Sequence, residues 1–197
     1  MDLRTSHART PSQIALEKAT QSVQYKINTV EWSIALTTNT QNEWYHKNQD
    51  EAATAQQASG LTTAEPLGFD FTAKSAATTA DTLIPYDCTI KNCQVMGVQQ
   101  GASPGDRDCE IFIGYVTYTP GVNITSTNSL MQSIGTEAVT FEDGWKITTK
   151  DLTTFNDKKI SKNSMLYIMI RTTSSGPTNN CSVKIRFDVE RKLCSCA

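Results

Sequence analysis

Apolar positions along the chain follow two periods, with the change near residue 60. In the first part, Leu16, Thr20, Val23, Ile27, Val30, Ile34, Thr37, Gln41 and Trp44 are separated alternately by four and three residues. This spacing is a heptad seam, with a at 20, 27, 34 and 41 and d at 16, 23, 30, 37 and 44. It predicts a helix about 43 Å long over the seam, at ~1.5 Å per residue. Thr10–Pro11–Ser12–Gln13 reads as its start: Thr10 caps, Pro11 takes the first helical position and Gln13 closes a capping box. From there to about Ala58 there is no further proline, and no glycine until Gly60.

Strict alternation of three and four argues for self-association, because a helix docked on its own domain drifts at 3.6 residues per turn. Ile27, Val30 and Ile34 place β-branched side chains at both a and d, a pattern that leans towards a trimer. Thr20, Thr37 and Gln41 then form polar layers that fix register. Lys26 at g faces Glu31 at the next e, a pair that tunes register rather than holding the assembly.

Past residue 60 the period becomes two. In Cys181–Glu190, Cys181, Val183, Ile185, Phe187 and Val189 point one way, and Ser182, Lys184, Arg186, Asp188 and Glu190 the other. That is a strand with one face in a core and one in water. Residues 165–172 form a second strand. Residues 109–119, reading CEIFIGYVTYT, form a third, apolar on both faces and so central or set against a neighbouring subunit. Further strands are expected at 89–98, 137–141 and 145–149, with short ones at 83–86 and 69–71. Turn sequences punctuate them: 101–106, Pro120–Gly121, Asp143–Gly144, Asn156–Asp157 and 174–180. The expected fold is mainly β with an N-terminal α-helix: a trimeric coiled-coil stem followed by an antiparallel, jelly-roll-like β-sandwich knob. Expected divisions are a flexible anchoring segment at 1–12, stem helix at 13–46, linker at 47–65 and knob at 66–197.

Composition narrows the function. At 197 residues with net charge −2 and 38% hydrophobic content, the chain has no basic footprint for nucleic acid. No apolar run reaches the ~20 residues that span a bilayer. MDLRTSHARTPSQ lacks the apolar region of a secretory signal, so synthesis in a reducing cytosol is expected. Of the six cysteines, Cys88, Cys93, Cys109 and Cys181 sit in strand-like runs and read as buried free thiols, while Cys194 and Cys196 form an exposed tail.

Catalytic motifs are missing from the sequence: there is no GxSxG, HExxH or Walker loop, and no histidine follows His46. Asp106, Asp108 and Glu110, with Arg107 among them, read as turn and surface charge rather than a calcium loop. The expectation is a protein without catalytic residues, metal or cofactor. Asn123–Ile–Thr125 and Asn180–Cys–Ser182 match the glycosylation acceptor pattern and read as chance matches. Tyr115, Tyr118, Trp145 and Tyr167 read as core aromatics, with a sugar-binding surface as the sharper alternative.

Leu83–Ile–Pro–Tyr–Asp–Cys–Thr–Ile90, the later VTFEDGWKITTKDL, and Ile160–Ser–Lys–Asn–Ser–Met–Leu–Tyr–Ile–Met–Ile170 together resemble the C-terminal β domains of tailed-bacteriophage fibres. The resemblance covers residues 80–192, although Asn163–Ser164 replaces the Gly–Asp usual in the second strand of that pattern. It implies a virion structural protein: a short homotrimeric fibre docked to other virion proteins near its N-terminus, with a host-surface glycan as a further partner of the knob. Particle decoration in place of attachment, a lattice cement protein, and a soluble carbohydrate-binding module are the rival readings.

Overall fold

The computed structural model describes residues 25–36, 41–47, 55–57, 82–100, 105–122, 131–174 and 180–193. Among these residues eleven strands run β1 (Tyr25–Leu36), β2 (Tyr45–Lys47), β3 (Ala55–Gln57), β4 (Thr82–Ile84), β5 (Cys88–Gln100), β6 (Arg107–Thr117), β7 (Gln132–Phe141), β8 (Ile147–Asp151), β9 (Lys159–Ile160), β10 (Ser164–Thr172) and β11 (Asn180–Lys192). One turn of 3-10 helix, Thr153–Phe155, is the sole helical element among the described residues. The described residues contain no helix long and apolar enough to cross a membrane.

The strands form two antiparallel sheets. In one the order is β1-β11-β5-β8, with β9 also on β5. In the other it is β3-β2-β10-β6-β7, with β4 also on β10. Setting aside the short β3, β4 and β9 leaves eight strands in which first pairs with last, second with seventh, third with sixth and fourth with fifth. Those pairs are β1·β11, β2·β10, β5·β8 and β6·β7. A long hairpin ribbon wound so that β11 meets β5 and β10 meets β6 gives this order, and that is a jelly roll. The expected strands at 89–98, 109–119, 165–172 and 181–190 fall on β5, β6, β10 and β11. The one expected at 69–71 lies outside the described residues.

The expected stem helix at 13–46 is corrected. Residues 25–36 are β1, paired with β11 along its whole length from Tyr25↔Lys192 to Leu36↔Cys181. Over these residues the stem is part of the sandwich, and no coiled coil remains there. Within the stretch expected as linker, residues 55–57 form β3 on β2. The physical reason is that β1 alternates: Val30, Trp32, Ile34 and Leu36 face the core, while Thr29, Glu31 and Ser33 face water. Burying Trp32 and Leu36, which a heptad leaves outside, adds roughly 1.5–3 kcal/mol for each side chain. Three copies per assembly no longer follow, because the helical seam implied that number.

Side chains from both sheets interdigitate in one core, with Ile34, Ile90, Val95, Ile111, Phe141, Ile168, Ile185 and Phe187 at its centre. A bulge keeps β5 in phase with it. Asn92 takes a left-handed conformation (φ 51°), and the register against β11 slips between Arg186 and Asp188. Cys88 and Ile90 before the bulge, and Cys93 and Val95 after it, therefore all point inward. The expected two-sided apolar character of 109–119 is real. Ile111 and Ile113 enter the main core, while Phe112 and Val116 join Trp44, Met131, Met165, Tyr167 and Met169 in a second buried cluster on the opposite face. The 3-10 turn closes one side: Leu152 and Phe155 are fully buried, and the Leu152 and Asp157 amides donate to the carbonyls of Cys93 and Ile90 (2.8 and 2.9 Å).

Candidate functional site

The outward face of the β1-β11-β5-β8 sheet carries the features that look built for contact. Cross-strand register arranges it in rows. Nearest one end lie Ala35, Ser182, Val98 and Ile147, then Ser33, Lys184, Met96 and Thr149. The next row is charged: Glu31, Arg186, Gln94 and Asp151, with Thr29, Asp188 and Asn92 beyond it.

The first two rows make an apolar corner. Met96 and Ile147 are 43% and 69% exposed, and a shallow cavity of about 320 Å³ lies between Ser33, Met96, Val98 and Lys184. Trp145, two residues before Ile147 in the bend that leads into β8, is 65% exposed with φ 62°. Left-handed backbone is strained for a bulky residue and costs on the order of 1–3 kcal/mol. Its turn is pinned by Asp143, whose carboxylate accepts from the Gly144 and Gly105 amides at 2.7 and 2.9 Å. Asp143 in turn donates its amide to Asp106 at 3.1 Å.

The charged rows enclose a second cavity of about 430 Å³, lined by Asn92, Gln94, Asp151, Thr153, Asn156 and Asp188 with Arg186. Asp188 accepts from Thr29 (2.8 Å) and Asn92 (3.1 Å), hydrogen bonds that hold its carboxyl below the ordinary range. Gln94 donates to Asp151 (3.0 Å), and the Cys93 amide donates to Asn156 (3.1 Å). Lys184 pairs with Glu31 at 2.8 Å, which depresses the Glu31 carboxyl.

The seam residues are scattered by this fold. Ile27 is on the outward face, 57% exposed, while Val30 and Ile34 point into the core. Gln41 is exposed and donates to the Thr173 carbonyl (2.8 Å). Trp44 is buried edge-on against Phe112 at 5.8 Å, with the Arg171 guanidinium 4.8 Å from its ring. Leu16, Thr20, Val23 and Thr37 lie outside the described residues, as do Cys194 and Cys196. Of the aromatics, Tyr167 is buried, Tyr115 and Tyr118 pack partly on the two clusters, and Trp145 alone is turned outward. Asp108 accepts from Thr140 (2.7 Å) in the exposed role expected of it, whereas Glu110 accepts from Arg171 (2.6 Å) in a partly buried pair and Arg107, expected at the surface, is buried.

Cys88, Cys93, Cys109 and Cys181 are free and buried. Burial pushes their thiols up, Cys88 and Cys181 to about 11 and Cys93 to about 12, so they are protonated at neutral pH and poor nucleophiles. Sequence reading missed the groove, whose one local signal is Asn92: a polar residue that breaks the alternation between Ile90 and Cys93.

No family model matches the chain, and no curated protein matches it in sequence. Among solved structures, it is similar to a chain of the empty head of turnip yellow mosaic virus, at 9% identity and TM-score 0.32 over 99% of this chain and 91% of that one. It is also similar to a chain of Desmodium yellow mottle tymovirus, at 11% identity and TM-score 0.26 over 100% and 94%. Both overlaps are loose, and the strand order stands without them.

Proposed function

We propose that the protein is a non-enzymatic structural protein of a virus particle: a jelly-roll subunit that works in multiple copies, each contacting the next through the apolar corner of the outward sheet face. The observation that carries this is Trp145, held out at a left-handed backbone position two residues before the exposed Ile147, which shares its sheet face with Met96. An exposed apolar patch kept at the cost of strain is the signature of a contact surface. Jelly rolls serve virus shells and lectins alike, so the fold permits this role. Protonated buried thiols and pinned carboxylates favour a scaffold over a catalyst.

The test is sedimentation velocity of the full chain and of a Trp145→Glu, Ile147→Glu variant. The wild type is expected to associate at micromolar concentration, and the variant to sediment as a monomer with an unchanged melting temperature. A monomeric wild type, or association that survives both charges, refutes the contact. Peptides of the chain in purified virions, at many copies per particle, check the location.

A further inference from the structure

We propose that the polar groove on the outward sheet face binds a neutral, hydroxyl-rich ligand of the oligosaccharide class. This inference is independent of the apolar corner and of particle assembly.

Three observations converge on the groove. Its volume, about 430 Å³, falls in the range of small-molecule sites. Its floor is irregular: the β5 bulge puts Asn92 at φ 51°, and the chain that leaves the 3-10 turn through Asn156 takes Asp157 to φ 62°. Bulges of this kind re-aim side chains and recur beside binding sites. Its polar groups are also held in place before any ligand arrives. Asn92 and Thr29 fix Asp188, Gln94 fixes Asp151, and the Cys93 amide fixes Asn156. Little side-chain entropy is left to lose on binding.

Unused hydrogen-bonding capacity decides the ligand class. Among the described residues the Arg186 guanidinium makes no hydrogen bond or close ion pair; it lines the groove, where its charge acts on the Glu31 and Asp188 carboxylates. Asp151 engages one oxygen and offers the other; Asn156 uses its carbonyl and offers its amide. Donors and acceptors thus line one groove together, a mixture that hydroxyls satisfy, since each hydroxyl both gives and accepts. Two carboxylates oppose a phosphate, a sialylated glycan or nucleic acid, while the guanidinium opposes a lysine-rich peptide. A neutral polyol meets neither repulsion. No aromatic side chain among the described residues lines the groove, so a single site is weak.

The experiment is saturation-transfer and amide-shift NMR on the full chain. Probes are lactose, maltotriose, chitotriose and mannotriose, with sialyllactose and tetralysine as charged counterparts. The expected result is millimolar binding of at least one neutral sugar, with shifts centred on Asn92, Gln94 and Asn156. Arg186→Ala and Asp151→Ala should each weaken it at least about fivefold, and Lys192→Ala, on the same face outside the groove, should not. Melting curves confirm that the variants fold. The proposal is overturned if no neutral sugar binds at about 20 mM, if binding survives both groove variants, or if a charged probe binds more tightly.

Discussion

Ile27 and Ile34 are seven residues apart and would be equivalent in any heptad, yet the strand puts them on opposite faces of a sheet. Truncating each to alanine separates the two geometries. Ile34 is 4% exposed and lies opposite Val183. Removing its three outer carbons forfeits about 0.8 kcal/mol of transfer energy each, and the cavity adds to this, for a total of about 3 kcal/mol. Ile27 is 57% exposed and leaves no cavity, so its loss is limited to lowered strand propensity, about 1 kcal/mol at most. At ~2–4 °C per kcal/mol for a chain of this size, Ile34→Ala should melt about 6–12 °C lower and Ile27→Ala no more than ~4 °C lower. Urea titrations with unchanged slopes would place the difference in stability rather than in compactness. Equal losses for the two variants would refute the strand and restore the seam.

Two further outcomes are expected. A methyl group at Gly97 would sit 2.2 Å from the Phe141 ring, so Gly97→Ala should cost on the order of 1–3 kcal/mol by denaturation, and Phe141→Leu should recover part of it. Because burial raises the thiols of Cys88, Cys93 and Cys181, the unfolded chain ionises first as pH rises. Stability is therefore full below the ordinary thiol value of about 9 and falls from there towards about 11–12. A Cys93→Ala, Cys181→Ala variant should lose less stability than wild type between pH 8 and pH 10.5, read from urea midpoints at each pH, and rapid native alkylation of Cys93 at pH 8 would contradict the burial.

Much of the sandwich is legible in the sequence because a half-buried strand prints its two faces directly. Cys181 to Val189 alternate without a break and occupy β11 in that phase; CEIFIGYVT has no polar face and proves to be covered on both sides. β1 misleads for a specific reason. Val30 and Ile34 are four apart, a step that keeps one face in a helix and in a strand alike, so they fit either period. The discriminating residues are Trp32 and Leu36, which complete the run 30, 32, 34, 36 and which a seam consigns to water. The groove is illegible for a different reason: Asn92, Asp151, Asn156 and Arg186 converge only after the bulge, the 3-10 turn and two cross-strand registers are set.

The pairing of β1 with β11 also governs how the molecule comes into being. β11 lies between β1 and β5, yet it is made well after both. At ~5–20 residues per second, the ribosome leaves β1 without its hydrogen-bonded neighbour for many seconds. Throughout that interval Trp32, Ile34 and Leu36 have no lid, and the nascent chain is at its stickiest. Arrest of translation before Asn180 should thus yield a species that chaperones hold, and release of the last strand should act as the latch that shuts the first sheet.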